Sequence, residues 1–168
     1  MIVTQAAAAL PARHVTDAPR QDIATLSLGP LAEVLGYHLA LASVATSAGF
    51  ERHVGRAFDL RKVEFSLLML LLANGTVVPK RLTAALSITA PKLTMLLDRL
   101  HARGLLRRER NPNDGRSQHI VLTPAGLRIA RACAAAAAPM EQDLTELLSR
   151  AERVLLLKLL AKLGGGGG

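Results

Sequence analysis

Four arginines lie in and beside a cluster of turn-forming residues, and guanidinium groups of this kind bind phosphate. Residues 105–110 and 118–122 have the apolar and β-branched composition of short strands. Between them, residues 111–115 read Asn-Pro-Asn-Asp-Gly, which is a dense turn signal. The spacing therefore predicts a β-hairpin. It is too basic to be buried in a core, and we expect it to contact nucleic acid through Arg107, Arg108, Arg110 and Arg116.

The net charge of the chain is concentrated around this hairpin. The sequence has 21 Lys and Arg against 13 Asp and Glu, which gives a formal net charge of +8. Residues 80–131 contain eleven of the basic residues and three of the acidic ones, so the whole excess lies in this segment. A local basic patch binds polyanions by displacing their counterions. Charge alone does not distinguish DNA from a membrane surface or an acidic protein.

The residue types that usually carry catalysis or bind metal are scattered. The five histidines are at positions 14, 38, 53, 101 and 119, and the sequence has no HExxH motif, no CxxC motif and no glycine-rich phosphate loop before a helix. We therefore expect no enzymatic activity, no metal site and no cofactor. The longest run of bulky apolar residues, 67–73, is too short to span a bilayer. The single cysteine and the lack of an evident signal peptide favour the cytoplasm, without membrane association.

Two longer helices are predicted before the basic segment. From Leu31 onwards, apolar residues recur at helical spacing, which predicts an amphipathic helix that runs to about Val54 with His38 on its apolar stripe. Residues 62–74 are apolar on every side, which is typical of the buried helix of a domain. Asn74-Gly75 is expected to end that helix.

Two short helices come directly before the hairpin. Val78-Pro79 begins the first, which we expect to end near Leu86. Thr89 is placed to cap the second, residues 90–103, and Gly104 stands at its C′ position. One face of this second helix is an apolar stripe made of Leu93, Leu96, Leu97 and Leu100. Two short helices followed by a basic hairpin form a winged helix-turn-helix, whose second helix enters the major groove of DNA.

The chain ends in two further predicted helices. Thr123-Pro124 combines an N-cap with proline at the first helical position, and Pro139 should kink the helix that follows. Ser149 and Glu152 form a capping box before a terminal helix that has no wide polar face. Half of the residues are hydrophobic and the mean hydropathy is +0.27, so we expect a second subunit to cover part of this surface.

The hairpin motif gives a specific resemblance. The pattern D-x-R-x5-L-T at Asp114, Arg116, Leu122 and Thr123, together with LTMLLDRLHARGLLRR before it, resembles the MarR family of bacterial transcription regulators over residues 31–163. The resemblance implies a homodimer with a winged-helix lobe on each subunit. It also implies repression from a short DNA palindrome, with release by a small effector that is commonly an aromatic acid.

The expected fold is mainly α with a small β-wing, a winged helix-turn-helix with N- and C-terminal dimerisation helices. Residues 1–29 would be a poorly ordered arm, and residues 164–168 a glycine tail. Residues 30–163 would form one domain, in which 30–60 and 124–163 build the dimer and 61–123 build the DNA-binding lobe.

The resemblance also implies DNA-binding roles. Arg116 would enter the minor groove and Asp114 would orient it, unless Asp114 is an ordinary solvated turn residue. Family members often carry Arg or Ser where this chain has Ala90 and Met95. Arg107 and Arg108 would bind phosphate or water, and Arg99 and Arg103 would contact phosphate or be solvated helix charges. The DNA-facing part of the second short helix would consist of Ala90, Pro91, Lys92, Thr94 and Met95.

Effector-binding residues are the least defined by the sequence. The candidates are Tyr37, His38, Arg52, His53 and Phe65, in the crevice that family ligands occupy. The favoured interpretation of His38 is a hydrogen-bonded histidine in the core or at an interface. Tyr37 could equally be a dimer contact. Cys133 is embedded in alanines, which favours inert packing over thiol sensing.

Two functions follow from these patterns. The first is a dimeric regulator that binds palindromic double-stranded DNA and represses transcription. The alternative is a winged-helix protein-interaction module without specific DNA binding, against which the intact hairpin motif and the concentrated charge argue.

Overall fold

The computed structural model describes residues 26–111 and 114–165, and it describes side chains within these ranges except at 111 and 114–117. The chain divides into two compact units, residues 1–38 and 39–168, so that the boundary falls inside the first α-helix. In the first unit a 3-10 helix, Gly29–Glu33, follows Leu28. Among the described residues, no helix is both long enough and apolar enough to cross a membrane.

The regular elements are mostly helical, with one antiparallel pair of strands among the described residues. In chain order they are α1 (Leu35–Phe50), a π-helical segment (Glu51–Gly55), α2 (Arg56–Phe58), α3 (Lys62–Asn74), α4 (Pro79–Leu86), α5 (Ala90–Ala102), β1 (Leu106–Asn111), β2 (Asp114–Leu122), α6 (Pro124–Thr145) and α7 (Arg150–Leu163).

The long helix predicted from Leu31 to about Val54 is interrupted at both ends. Val34 has an extended backbone, so that α1 begins only at Leu35. After Phe50 the helix widens into the π-helical segment. A Cβ at Gly55 would lie 2.7 Å from the Glu51 carboxylate, which is the end of a flexible side chain and could move aside.

The predicted helix over residues 62–74 is confirmed as α3, but it is not buried on every side. Leu67, Leu68 and Leu71 have almost no exposed surface, whereas Ala73 and Asn74 are exposed. Glu64, which the composition of this helix would place at the surface, is fully buried. Its role is described below.

The two short helices form as predicted, and their ends have clear physical causes. Pro79 begins α4, and Ser87 in a left-handed conformation ends it. At the end of α5, Gly104 (φ +67°) and Leu105 donate their N–H groups to the carbonyls of His101 and Leu100, which is the Schellman pattern. Thr89 is at the N-cap position of α5, but the expected side-chain cap is wrong because its side chain makes no capping hydrogen bond.

The second hairpin strand is longer than its composition predicts, and the first is shifted by one residue towards the turn. Leu106 pairs with Leu122 and Arg110 pairs with Gln118, and the ladder continues with an irregularity to Asn111 opposite Asp114. The first, fourth and fifth residues of the predicted turn are therefore strand residues, and the connection itself lies outside the described residues. Hydrogen bonds between the strands extend into the turn cluster because each added pair satisfies backbone groups.

A third segment pairs with the hairpin. Val77 and Ile120 form an isolated antiparallel bridge with hydrogen bonds of 3.2 and 2.9 Å. Both side chains are buried, which fastens the inner end of the hairpin to the loop before α4.

The core of the lobe is built from leucines and one isoleucine, and α6 is joined tightly to it. The Thr123 hydroxyl donates to the Gly104 carbonyl at 2.6 Å and accepts from the Gly126 N–H at 3.0 Å. At Gly126 a Cβ would lie only 1.7 Å from the Leu105 carbonyl oxygen, so that only glycine fits there. The largest fully buried side chains include Leu67, Leu68, Leu71, Leu82, Leu100, Leu106 and Ile120.

The last two helices differ in how well they are covered. α6 continues through Pro139, and Cys133 is fully buried on its inner face, where burial raises the pKa of the thiol. The predicted capping box at the start of α7 is confirmed: the Ser149 hydroxyl accepts from the Glu152 N–H, and Glu152 accepts from the Ser149 N–H. These hydrogen bonds lower the pKa of Glu152. The apolar side chains of α7 remain exposed.

Candidate nucleic-acid interface

The outer face of α5 is set by the burial of its inner face. Leu93, Leu96, Leu97 and Leu100 are at most 7% exposed, so the residues between them point outwards. The side chain of Met95 is 74% exposed, although it is apolar. The Thr94 hydroxyl donates to the Ala90 carbonyl at 3.1 Å, which leaves its oxygen lone pairs available. The exposed set is the one predicted from the sequence: Ala90, Pro91, Lys92, Thr94 and Met95.

A groove runs between this face and the hairpin. It has a volume of about 420 Å³ and is lined by residues of α4, α5 and both strands. Lys80 and Arg108 place positive charge at the groove, and Thr83, Thr94 and Gln118 add hydrogen-bonding groups. Such a lining is suited to an anionic ligand or a nucleic-acid backbone.

Two of the hairpin arginines have partners within the chain. Arg108 lies 2.6 Å from the Asp98 carboxylate on α5, and Arg107 lies 2.6 Å from the Glu109 carboxylate. All four side chains are at least partly exposed, so these are surface ion pairs of small energy that a phosphate can replace. The Asp98–Arg108 pair also joins the hairpin to α5. The side chains of Asp114 and Arg116 lie outside the described residues.

The side chains of Arg99 and Arg103 are about one third exposed and pair with groups of the same chain. Arg99 lies 3.3 Å from the buried carboxylate of Glu64, and both arginines are within 4 Å of the Asp59 carboxylate. Arg103 also donates to the carbonyls of Asp59 and Phe58 at 2.5 and 2.9 Å. The sequence left a phosphate contact or solvation open for this pair; both guanidinium groups have partners within the chain and stay partly exposed, so that a phosphate contact remains a prediction.

The predicted effector residues fall in separate places. In the first unit, the imidazole Nε2 of His38 is 2.8 Å from the Ala32 carbonyl and the ring packs edge-on against Tyr37. His38 is exposed in the single chain, so its placement in a core is wrong. The apolar stripe on which it was placed is itself uncovered in the single chain, because the side chains of Leu35 and Leu39 are exposed as well.

In the second unit, Arg52 and His53 converge on one carboxylate. The Asp143 Oδ2 accepts from His53 Nε2 at 2.8 Å and from Arg52 at 2.7 Å. The hydrogen bond from His53, helped by the charges of His53 and Arg52, holds the pKa of Asp143 below its usual value of 3.8. These contacts connect the π-helical segment to α6.

Phe65 is separated from that cluster. It packs edge-on against Phe50, with ring centroids 5.8 Å apart, and lines a groove of about 560 Å³ on α3 and α4. Arg52 lines a different groove together with Ser47, Ala48, Glu51 and Arg56.

The sequence reasoning missed three residues that organise these sites. Glu64 had a detectable signal, since it is a lone acid at the third position of an otherwise apolar helix. Val77 also had one, in the β-branched pair Val77-Val78 before the helix. Asp143 had none, because its partners are 90 and 91 residues away in the chain.

Comparison with known proteins identifies this arrangement. The family model described as MarR family matches residues 58–117, which span α3 to the hairpin. The multiple antibiotic resistance protein MarR of Salmonella typhimurium is 34% identical over 106 residues, covering 62% of this chain and 74% of the relative. The chain belongs to the MarR family. It is therefore a DNA-binding transcription regulator of the winged helix-turn-helix class, a class of regulators and not of enzymes. The predicted family and fold class are confirmed.

Solved structures of MarR-family regulators share the fold. The transcriptional repressor CouR, bound to a 23-mer DNA duplex, has a TM-score of 0.74 and 38% identity, covering 82% of this chain and 97% of that chain. BpsR of Bordetella bronchiseptica has a TM-score of 0.70 and 26% identity, covering 79% of this chain and 94% of that chain. Its structure concerns regulation of DNA binding by 6-hydroxynicotinic acid. From here, α5 is called the recognition helix and the β1–β2 hairpin the wing.

Proposed function

We propose that this MarR-family protein is a homodimeric repressor that binds a DNA palindrome and is released by a small aromatic acid. The observation that carries the proposal is the exposed outer face of the recognition helix beside a basic wing. CouR, which resembles this chain in fold and sequence, is a repressor bound to a DNA duplex. Each subunit would place one recognition helix in a major-groove half-site, with half-site centres about 34 Å apart.

Base recognition is assigned to the exposed residues of the recognition helix. Lys92 can donate to a guanine edge or a phosphate, and Thr94 can contact a base or a phosphate. The exposed Met95 and Ala90 suit the methyl group of thymine, while Pro91 limits the approach of the backbone. With few hydrogen-bonding side chains on this face, apolar contacts to thymine are expected to contribute much of the discrimination.

The wing is assigned to the DNA backbone. Arg107 and Arg108 would exchange their surface carboxylate partners for phosphates, and Arg116 would enter the minor groove with Asp114 orienting it. Arg99 is left out of this set because its guanidinium is paired inside the lobe.

Dimerisation is assigned to the terminal helices. The α7 side chains from Val154 to Leu163 include seven large apolar groups between 37% and 61% exposed. An uncovered apolar helix of this kind requires a partner surface. In α1, Leu39, Leu41 and Val44 are exposed in the same way. A symmetric dimer would bury these faces against their copies.

Effector binding is assigned to grooves that the chain already contains. The α3–α4 groove combines Phe65, Val63 and Met69 with the cation of Lys62, which suits an aromatic ring with a carboxylate. Arg52 and His53 already hold an internal carboxylate, so an acid would compete with Asp143 there. Tyr37 and His38 stay predicted effector residues on the basis of the sequence alone.

The test begins with selection of bound sequences from random duplex DNA by the purified protein. Enrichment of a palindrome with half-sites one helical turn apart supports the proposal, and binding without an enriched motif contradicts it. Lys92→Ala should lower affinity for the selected site, whereas the matched variant Lys158→Ala on α7 should not. Arg116→Ala should weaken binding with little change in sequence preference, because a wing contact is mostly electrostatic and shape-dependent.

The effector is tested on the same DNA complex. Titration with a panel of aromatic acids, including 6-hydroxynicotinic acid, should release DNA for at least one member of the panel. Phe65→Ala should raise the concentration of acid needed for release while DNA affinity without acid stays unchanged. Release that is equally sensitive in this variant would remove Phe65 from the site.

A further inference from the structure

The carboxylate of Glu64 is buried inside the lobe directly beneath the recognition helix. The side chain has no exposed surface. Its Oε2 accepts a hydrogen bond of 2.7 Å from the Arg61 N–H, which caps the start of α3. Its Oε1 receives no hydrogen bond from the described residues and lies 3.3 Å from Nε of Arg99. A buried carboxylate is unfavourable unless a charge partner compensates it, and Arg99 is that partner.

Arg99 reaches Glu64 from the recognition helix. Its guanidinium is one third exposed and also lies 3.6 Å from the Asp59 carboxylate. One turn further along, Arg103 donates to the carbonyls of Phe58 and Asp59. Both arginines therefore attach the recognition helix to the segment from Phe58 to Glu64, which contains the end of α2 and the start of α3.

These polar contacts fix the position of the recognition helix more closely than apolar packing does by itself. Apolar packing holds the helix against α3 but is non-directional, so it tolerates small rotations and shifts. The hydrogen bonds from Arg103 to carbonyls have a preferred geometry, and the attraction between Arg99 and Glu64 weakens as the two charges move apart. Hydrogen bonds to base edges require correct placement of the helix, whereas phosphate contacts by long flexible side chains tolerate displacement.

We propose that Glu64 is a positioning residue for DNA recognition: by pairing with Arg99 it sets how the recognition helix presents Lys92, Thr94 and Met95 to the bases. Arg99 acts within the lobe and does not contact DNA. This inference rests on the proposed sequence-specific binding. It predicts that loss of the pair reduces binding to the correct sequence much more than binding to unrelated DNA.

Three variants test the contribution of the Glu64–Arg99 ion pair to DNA binding. Glu64→Gln keeps the size of the side chain and the cap on α3, since glutamine also serves at this helix position, but removes the charge. Arg99→Gln removes the cation. The double variant replaces the ion pair with two amides that can hydrogen-bond each other and leaves no unpaired buried charge. Arg128→Gln, at an exposed arginine of α6, is the matched control for loss of one positive charge.

The measurement is the dissociation constant of full-length protein for the selected palindrome and for a scrambled duplex of equal length, over a range of salt concentrations. Circular dichroism and thermal unfolding give the folded fraction of each variant. We expect each single variant to lose about tenfold or more in affinity for the palindrome, in line with loss of correct base contacts. Affinity for the scrambled duplex should change less than about twofold, the salt slope should stay unchanged, and the double variant should recover most of the lost affinity.

Several results would overturn the inference. If Arg99 contacts phosphate, Arg99→Gln lowers the salt slope by about 0.9 and weakens both duplexes equally, while Glu64→Gln binds normally. If the pair only stabilises the fold, affinity falls in proportion to the folded fraction on both duplexes. Should Glu64→Gln be unfolded, normal discrimination by folded Arg99→Gln, which removes the cation of the pair, would also contradict it.

The proposed function and this inference fail in different ways. Wild-type protein that binds both duplexes equally overturns the proposed function and the inference together. Wild-type protein that prefers the palindrome, with variants that keep the same preference, overturns the inference alone.

Discussion

The recognition helix and α7 are both rich in leucine, but their leucines lie in opposite environments. The four leucines of the recognition helix are at most 7% exposed, whereas the six leucines of α7 are between 37% and 61% exposed. The helices are 13 and 14 residues long, so length does not explain the difference. Apolar residues in one helix are covered by its own chain, and those in the other are left exposed by the described residues.

The arrangement of the leucines accounts for this difference. In the recognition helix they follow the i, i+3, i+4, i+7 spacing, which forms one stripe that α3 and α4 can cover and leaves a polar face for a ligand. In α7 the apolar run from Val154 to Leu157, followed by Leu159, Leu160 and Leu163, surrounds most of the helix. A single surface cannot bury such a helix, so we expect contacts on more than one side.

The largest effect is expected when charge is introduced on α7, whose apolar side chains are exposed. Leu156→Glu with Leu160→Glu should raise the dimer dissociation constant by about a thousandfold or more, because a symmetric dimer loses the burial of four half-exposed leucines, at about 1 kcal/mol each. Analytical ultracentrifugation measures this change. Lys158→Gln, on the same helix, should leave assembly unchanged. A double variant that remains dimeric at micromolar concentration would show that α7 is covered in another way.

A second experiment destabilises the DNA-binding lobe and leaves the sequence of α7 unchanged. Gly126→Ala should cost more than about 4 kcal/mol of stability, because the added Cβ would lie 1.7 Å from the Leu105 carbonyl oxygen. Urea denaturation followed by circular dichroism gives the free energy of unfolding. Gly36→Ala in α1 is the control, since no described atom lies within 4 Å of its Cβ position and alanine favours helix by about 1 kcal/mol. Equal stability of Gly126→Ala and wild type would contradict the close approach.

Single truncations compare the two helices directly. Leu100→Ala should lower the free energy of unfolding by about 2–5 kcal/mol and leave the dimer dissociation constant nearly unchanged, since Leu100 is fully buried within one chain. Leu160→Ala should do the reverse and weaken the dimer by about tenfold or more. Both effects are read from urea denaturation and sedimentation of the same samples. If Leu160→Ala destabilised a dilute monomer as much as Leu100→Ala does, the distinction between the helices would be lost.

The smallest effect concerns the Asp143 cluster that links the π-helical segment to α6. Its hydrogen bond from His53 and its neighbour Arg52 lower the pKa of Asp143 in the folded state, so its contribution to stability is complete above the usual value of 3.8. It is lost as the pH falls through the lowered pKa. The melting temperature of wild type should therefore exceed that of Asp143→Asn near pH 5, and the difference should shrink towards pH 2.5. A difference that does not change over this range would show that the ionised carboxylate contributes nothing.

Local signals in the sequence predicted most of the fold. Proline at Pro79 and Pro124, glycine at Gly104 and the Ser149–Glu152 pair each act within one turn of helix, and each marks a helix end in the structure. The period of the leucines in the recognition helix also predicted its buried face. Errors arose where local rules compete: the turn cluster contributed residues to the strands, and the first helix was interrupted at Val34.

The candidate site was predictable only in part. Exposure of Lys92, Thr94 and Met95 follows from helical geometry once the leucine stripe is known. The same geometry placed Arg99 off the stripe, and it did not reveal that a carboxylate 35 positions earlier in the chain would be buried beside it. The contact of His53 with Asp143 could not be predicted either, because neither α6 nor the π-helical segment has a sequence pattern that indicates it.

The sequence by itself determined the helix-turn-helix, the wing, the basic character of that face and the family, because caps, turns and periodicity act over a few residues. Tertiary structure alone decided which charges meet and which apolar surfaces stay uncovered. Burial of Glu64 beneath Arg99 and exposure of the α7 leucines both depend on which distant segments pack together. Burial is a property of the packed chain, because surface is removed from water only by the elements that cover it.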